Sequence, residues 1–250
     1  MALSFSFGGL PPIPPLTATK TTSTACLSNK SSSSSHALDA AYIKRAAELA
    51  DKSAGFTAPH PNFGCVIATT IGAGKEGVVV GEGCLYAEGT TPAELQAVES
   101  AGELSRAATA YLNMEPGDCC SDRTAVSALI NAGISRVVIG IRHPLRHLRG
   151  NAIRALRSEG LQVDVLGEDI QTKTIEEALK SCLLVNAPLL FRAANRVPFS
   201  VLKYAMTLDG KIAASSGDAS WISSTKSRTL VFQLRGRSDA VIVGGNTIHV

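Results

Sequence analysis

Residues 135–166 read SRVVIGIRHPLRHLRGNAIRALRSEGLQVDVL, and the order of elements within them points to the fold class. SRVVIGI is a β-branched run of buried-strand length, residues 151–159 read as a helix, and LQVDVL is a second strand. The same rhythm extends towards the N-terminus. A helix is expected over 122–132, and ATAYLNM (108–114) is the strand before it. Before that, residues 92–105 read as a helix with Pro92 in its first turn, where the missing N–H costs nothing. FGCVIATT (63–70) and GVVVGEG (77–83), joined through IGAGKE, have the pattern of an antiparallel hairpin. ALDAAYIKRAAELADKSAG (37–55) sets Ala40, Ile43, Ala47 and Ala50 on one helical face, and a last helix is expected over 170–185. A helix, a hairpin and then repeated helix and strand predict an α/β domain over 37–185, three layers deep, with its sheet covered on both faces.

Composition sets the limits of function. The chain has 250 residues, 45% hydrophobic and 18% charged, enough to bury a core. Apolar runs stay well short of the roughly 18 residues that span a bilayer, so no membrane role is expected. Residues 1–36 differ in kind: rich in Ser, Thr and Pro, they contain no acidic residue and only Lys20 and Lys30 as bases. Such a segment buries too little apolar surface to fold, and its prolines interrupt any secretory core. It reads as a plastid transit peptide, which places the protein in the chloroplast stroma, or else as a plain disordered tail. The remainder has 22 basic residues against 21 acidic ones, a balance that gives nucleic-acid binding no support. The six cysteines, at 26, 65, 84, 119, 120 and 182, have no regular spacing and read as buried or free thiols.

TAPHPNFGCVIA, VVVGEG, AEL opening a helix, LNMEPG at a strand end and ALINAGISRVVIG, in this order over residues 38–182, resemble the deaminase domain of the bifunctional riboflavin-biosynthesis deaminase-reductase family. FSVLKYAMTLDGKIAASSGDASWISSTKSRTLVFQLRGRSDAVIVGGNT is similar to the opening of that family's reductase domain, a dihydrofolate-reductase-like α/β fold. The resemblance implies a cytidine-deaminase-like domain over 37–185 and, over 197–250, the incomplete N-terminal part of the reductase domain.

A zinc-dependent base deaminase needs one His and two Cys on the metal, with a Glu two residues after the His to shuttle the proton. Here the expected His-Ala-Glu reads Pro92-Ala93-Glu94, the expected Pro-Cys reads Pro116-Gly117, and the second cysteine falls at Ala125. All three donors are missing while the proton shuttle remains. Cys119 and Cys120 are neighbours on a turn with side chains pointing apart, so at most one reaches the site and tetrahedral zinc still lacks its imidazole. No zinc is expected, and Glu94 reads as an ordinary first-turn carboxylate rather than an acid-base catalyst. His60 stands where the family has the Asn that contacts the pyrimidine, which puts base binding in doubt. This pattern resembles the plant form of the family, in which the reductase carries a degenerate deaminase domain.

The function so implied is NADPH-dependent reduction of 5-amino-6-(5-phosphoribosylamino)uracil to its ribitylamino product. On this resemblance Lys203, on an expected strand SVLKYAM (200–206), acts on the opening sugar, or is a solvated strand-end lysine. Arg235, on a helix over 224–237, holds the substrate phosphate or makes a surface ion pair. Trp221 packs against the nicotinamide or fills a core. Ala205, Ser223 and, at the end of an expected strand DAVIVGG (239–245) and in the turn after it, Gly244, Gly245 and Thr247 complete the expected cofactor contacts. The partner is a phosphorylated pyrimidine, and the full-length protein is expected to be a homodimer. Two other functions stay open at this point: an active zinc deaminase, and a non-catalytic structural or dimer-holding module.

Overall fold

The structure is a computed structural model that describes residues 31–69, 77–87, 89–117, 122–217 and 222–245. It divides into two compact units, one ending at Val197 and one starting at Pro198.

The first unit is built on a five-stranded sheet. Strands β1 (Gly64–Thr69) and β2 (Val78–Cys84) pair antiparallel, β1 also pairs antiparallel with β3 (Thr109–Met114), and β3, β4 (Arg136–Ile141) and β5 (Gln162–Val165) run parallel, giving the order β2-β1-β3-β4-β5. The period of two along each strand divides the side chains between two cores. Cys65, Ile67, Leu112, Met114, Val137 and Ile139 face α2 (Ala93–Ala101), α3 (Asp122–Asn131) and α4 (Asn151–Ser158). Val66, Ala68, Tyr111 and Val138 face α1 (Ser31–Asp51) and α5 (Lys173–Val185). This is the expected three-layer arrangement, with helices on both faces of the sheet.

Several boundaries differ from the sequence reading. Helix α1 begins at Ser31, inside the stretch assigned to the leader, instead of at Ala37. The helix expected over 92–105 ends at Ala101 and continues from Gly102 to Ser105 as one 3-10 turn. Helix α5 starts at Lys173, not 170, because the Thr172 side chain caps it by accepting from the Ile175 N–H at 3.3 Å, while Ile170 bridges to Leu166. A further helix, α6 (Ala187–Asn195), follows with Pro188 in its first turn, where the ring is tolerated.

In the second unit the Thr207–Lys211 turn closes on itself, with the Thr207 N–H donating to the Lys211 carbonyl at 2.8 Å. Helix α7 (Thr225–Gly236) is capped by Ser224, which accepts from the Ser227 N–H at 3.2 Å. The strands expected at SVLKYAM and DAVIVGG do not form among the described residues. A strand needs a neighbour for its N–H and C=O groups, and neither run has one there. Leu202 and Ile242 stand 82% and 97% exposed.

Candidate functional site

Strands β3 and β4 end together, with Met114 beside Ile141, and the residues matched to the deaminase site lie at the start of α2 (Pro92, Glu94), just after β3 (Gly117) and on α3 (Ala125). Helix α2 lies close on the hairpin because β2 has no side chain at two points. A Cβ on Gly81 would come within 2.1 Å of the Ala97 carbonyl oxygen, and one on Gly83 within 2.1 Å of that of Ala93. The helix therefore lies almost on the backbone of β2.

This close approach buries Glu94, which is only 3% exposed at the first turn of α2. Burial pushes its carboxyl from 4.5 up to about 7, partly offset by its own backbone N–H at the helix N-terminus. The expectation of an ordinary first-turn carboxylate is thus corrected: Glu94 does stand in the first turn of α2, but as a buried, desolvated acid. Cys65 on β1 is fully buried, and burial first, then the nearby Glu94 charge, push its thiol well up. It is an inert thiol, since the thiolate is the reactive form.

The loop before β1 is held by amides. Asn62 accepts on its carbonyl from the side-chain amides of Asn113 at 2.9 Å and Asn186 at 3.1 Å. Its own amide donates to the Val185 carbonyl at 2.8 Å. Asn113 also accepts from the Gly64 N–H at 2.8 Å, and Thr57 donates to the Asn62 side-chain oxygen at 2.6 Å. His60 sits half-buried on this loop, its N–H bonded to the Thr57 carbonyl at 2.8 Å.

At the end of β3 the positions matched to the family's zinc donors carry none. Pro92, the residue capping α2, and Ala125 on α3 carry no donor atom, and Gly117 carries no side chain. In place of a side chain at 117 stands the imidazole of His143: a Cβ on Gly117 would come within 2.3 Å of its Cδ2 and 2.5 Å of its Nε2. Among the described residues no three His, Cys, Asp or Glu side chains gather as a metal cluster. These residues do not fit a zinc ion. Cys119 and Cys120 lie outside the described residues.

His143, Glu115 and Asn113 were not foreseen from the sequence. Asn113 and Glu115, polar residues within and just after the apolar run YLNM, were the available signal; His143, following β4, gave none by itself.

The reductase-side candidates are spread along the second unit. Lys203, Arg235, Gly244 and Gly245 are exposed, while Ala205 and Ser223 are half-buried. The Arg235 guanidinium stacks 5.8 Å from the Phe232 ring centre, and the Ser223 carbonyl accepts from Arg228 at 3.4 Å. No hydrogen bond or ion pair among the described residues joins these candidates to one another. Trp221 and Thr247 lie outside the described residues.

Known proteins agree with this division. Residues 37–141 match the family model of the cytidine and deoxycytidylate deaminase zinc-binding region, and residues 198–250 match the RibD C-terminal domain. The whole chain is 66% identical to the riboflavin biosynthesis protein PYRR, chloroplastic, of Arabidopsis thaliana, of which it spans 40%. It is 37% identical, over 84% of its length, to riboflavin biosynthesis protein RibD of Synechocystis, and spans 53% of that protein. Among solved structures, a Thermotoga maritima diaminohydroxyphosphoribosylaminopyrimidine deaminase/5-amino-6-(5-phosphoribosylamino)uracil reductase superposes with a TM-score of 0.71 at 32% identity, over 86% of this chain and 57% of that one. The layered sheet, the altered deaminase corner and the stretch that follows it are therefore parts of one lineage, and the chain belongs to the RibD/PYRR family of riboflavin-biosynthesis proteins.

Proposed function

We propose that this chain is part of a plastid pyrimidine reductase of riboflavin synthesis, which reduces 5-amino-6-(5-phosphoribosylamino)uracil with NADPH. Its deaminase-like domain has kept the shape and lost the chemistry. The observation that carries this reading is that Pro92, Gly117 and Ala125, where the resemblance expects zinc donors, carry none, inside a stretch that matches the cytidine and deoxycytidylate deaminase zinc-binding region. The adjoining match to the RibD C-terminal domain supports reduction as the remaining activity. The acid-free leader and the word chloroplastic in the name of the Arabidopsis relative support the plastid address.

In this reading the protein aligns cofactor and sugar and balances the phosphate, while NADPH supplies the hydride. Arg235 holds the substrate phosphate through its planar, permanently charged fork, and Lys203 acts at the opening sugar. The working unit is a homodimer of the full-length protein.

The test is a reductase assay on the protein extended to the span of its relatives. Substrate-dependent NADPH oxidation is expected without added zinc. Replacing Arg235 by Ala should raise KM for the phosphorylated substrate by an amount equivalent to about 1.5–3 kcal/mol, and Lys203→Ala should lower kcat more than it weakens binding. Glu94→Ala should leave reduction nearly unchanged. Release of ammonia from the diaminopyrimidine by this protein, without reduction, would refute the reading.

A further inference from the structure

The geometry points to a plug: the His143 imidazole occupies the volume that a side chain at position 117 would take, so the deaminase-type corner is closed by packing as well as by the loss of donors. This rests on reading residues 37–185 as a deaminase-derived domain, and it goes beyond that reading by naming the residue that shuts the site.

The overlap is large. The Cβ that any other residue would add at 117 falls 2.3 Å from Cδ2, 2.5 Å from Nε2 and 3.3 Å from Cγ of His143. Carbon atoms in contact normally stay about 3.5–4.0 Å apart, so the ring and a 117 side chain exclude each other.

The ring is held in that place. His143 is 1% exposed, and its Nδ1 accepts from the Leu145 N–H at 3.2 Å. The His143 backbone N–H donates to Oε2 of the fully buried Glu115 at 3.2 Å. Glu115 in turn is tied to the end of β4, its N–H bonded to the Ile141 carbonyl at 2.8 Å. An imidazole that accepts at Nδ1 carries its proton on Nε2 when neutral, so the nitrogen nearest Gly117 presents a hydrogen there and no lone pair. Swinging the ring aside would break the Leu145 bond in a packed interior. Positions 117 and 143 are therefore a matched small and large pair across the ends of β3 and β4.

Thermal melts of the 250-residue chain as Gly117→Ala, His143→Ala and the double variant form the first test. Gly117→Ala should lower Tm by roughly 4–10 °C through overpacking. His143→Ala should lower it through a cavity, and the double variant should melt above Gly117→Ala because the new methyl enters the vacated space. If Gly117→Ala does not fold at all, recovery of soluble protein on adding His143→Ala gives the same answer. A Gly117→Ala protein that melts like the parent, or a double variant in which the two losses add, overturns the plug.

The second test rebuilds the donors as Pro92→His, Gly117→Cys and Ala125→Cys together, with and without His143→Ala, and measures bound zinc by elemental analysis after dialysis. Little zinc is expected while His143 remains, with a clear rise when it is removed. Stoichiometric zinc with His143 in place, or no rise on its removal, counts against the ring as the barrier. Both tests read packing and metal, not NADPH turnover, so their failure is distinct from failure of the reductase reading.

Discussion

Helix α5 and helix α7 have similar lengths and the same kind of cap, a hydroxyl side chain accepting from the third residue onward, yet they meet different fates. Helix α5 buries Ile175, Ala178 and Cys182 against the sheet, whereas α7 buries none of its residues. The same contrast runs through the two units. The first has donors and acceptors paired along five strands and a core on each face of the sheet. In the second, Leu202, Ile212, Phe232 and Ile242 are exposed, and segments with strand composition stay outside any ladder among the described residues. Propensity and caps are thus enough to start an element but not to bury it, because most of a helix's or strand's stability comes from the surface it packs against.

Ion pairs give the largest expected effect. Arg136 bridges Asp39 at 2.8 Å and Asp164 at 2.7 Å, and Asp39 is almost fully buried. Arg136→Ala removes the guanidinium from that carboxylate, leaving it the Tyr111 hydroxyl at 3.1 Å and the neighbouring His36, and should cost about 3–5 kcal/mol in chemical denaturation. Arg235→Ala, at an exposed position in the second unit, should leave the unfolding midpoint unchanged; an equal loss from both would break the contrast.

The next comparison uses one substitution in two settings. Ile139→Ala on β4 should cost about 2–5 kcal/mol, since Ile139 is fully buried. Ile242→Ala should stay within about 0.5 kcal/mol. A large effect at Ile242 would mean that this residue is covered in solution.

Glu94 adds a pH-dependent term of similar size. Its folded-state pKa is raised, so below about 4.5 the folded and unfolded carboxyls are both protonated and the group contributes nothing. As pH climbs from about 4.5 to about 7 the unfolded chain ionises first, and folding loses on the order of 3 kcal/mol. Denaturation midpoints should therefore fall over that interval, and Glu94→Gln should flatten the fall. A Gln variant with the parent's pH profile would show that Glu94 is not desolvated.

The caps are the smallest test. Thr172→Ala should destabilise the first unit by about 1 kcal/mol. Ser224→Ala should reduce helical circular dichroism slightly without moving the main transition. A shift of that transition by Ser224→Ala would show that α7 belongs to the same cooperative unit.

Much was legible in the sequence because it is local. Strand and helix periods at 37–185 and the Pro92 start of α2 follow from residue type and spacing, while the three missing donors at 92, 117 and 125 follow from the resemblance to the deaminase family. The boundaries that differed were set by single residues competing for the chain, as Thr172 did at α5. The two strand expectations in the second unit failed for the complementary reason, that a β-branched run becomes a strand only beside another.

What only the tertiary structure decided depends on contacts between residues distant in the chain. Nothing in Glu94's own neighbourhood says that it is buried; that follows from Gly81 and Gly83, which let α2 settle onto the hairpin. Asn62, Asn113 and Asn186 are unremarkable singly and become one clamp when β1, β3 and the end of α5 converge. Gly117 by itself is only a lost ligand. That it cannot regain a side chain while His143 stands beside it follows from the parallel register that sets Met114 against Ile141, and so brings the residues after β3 against those after β4. Sequence states which side chains stand at 92, 117 and 125, and the pairing of strands, through the hard limit on how closely atoms approach, determines what packs beside Gly117.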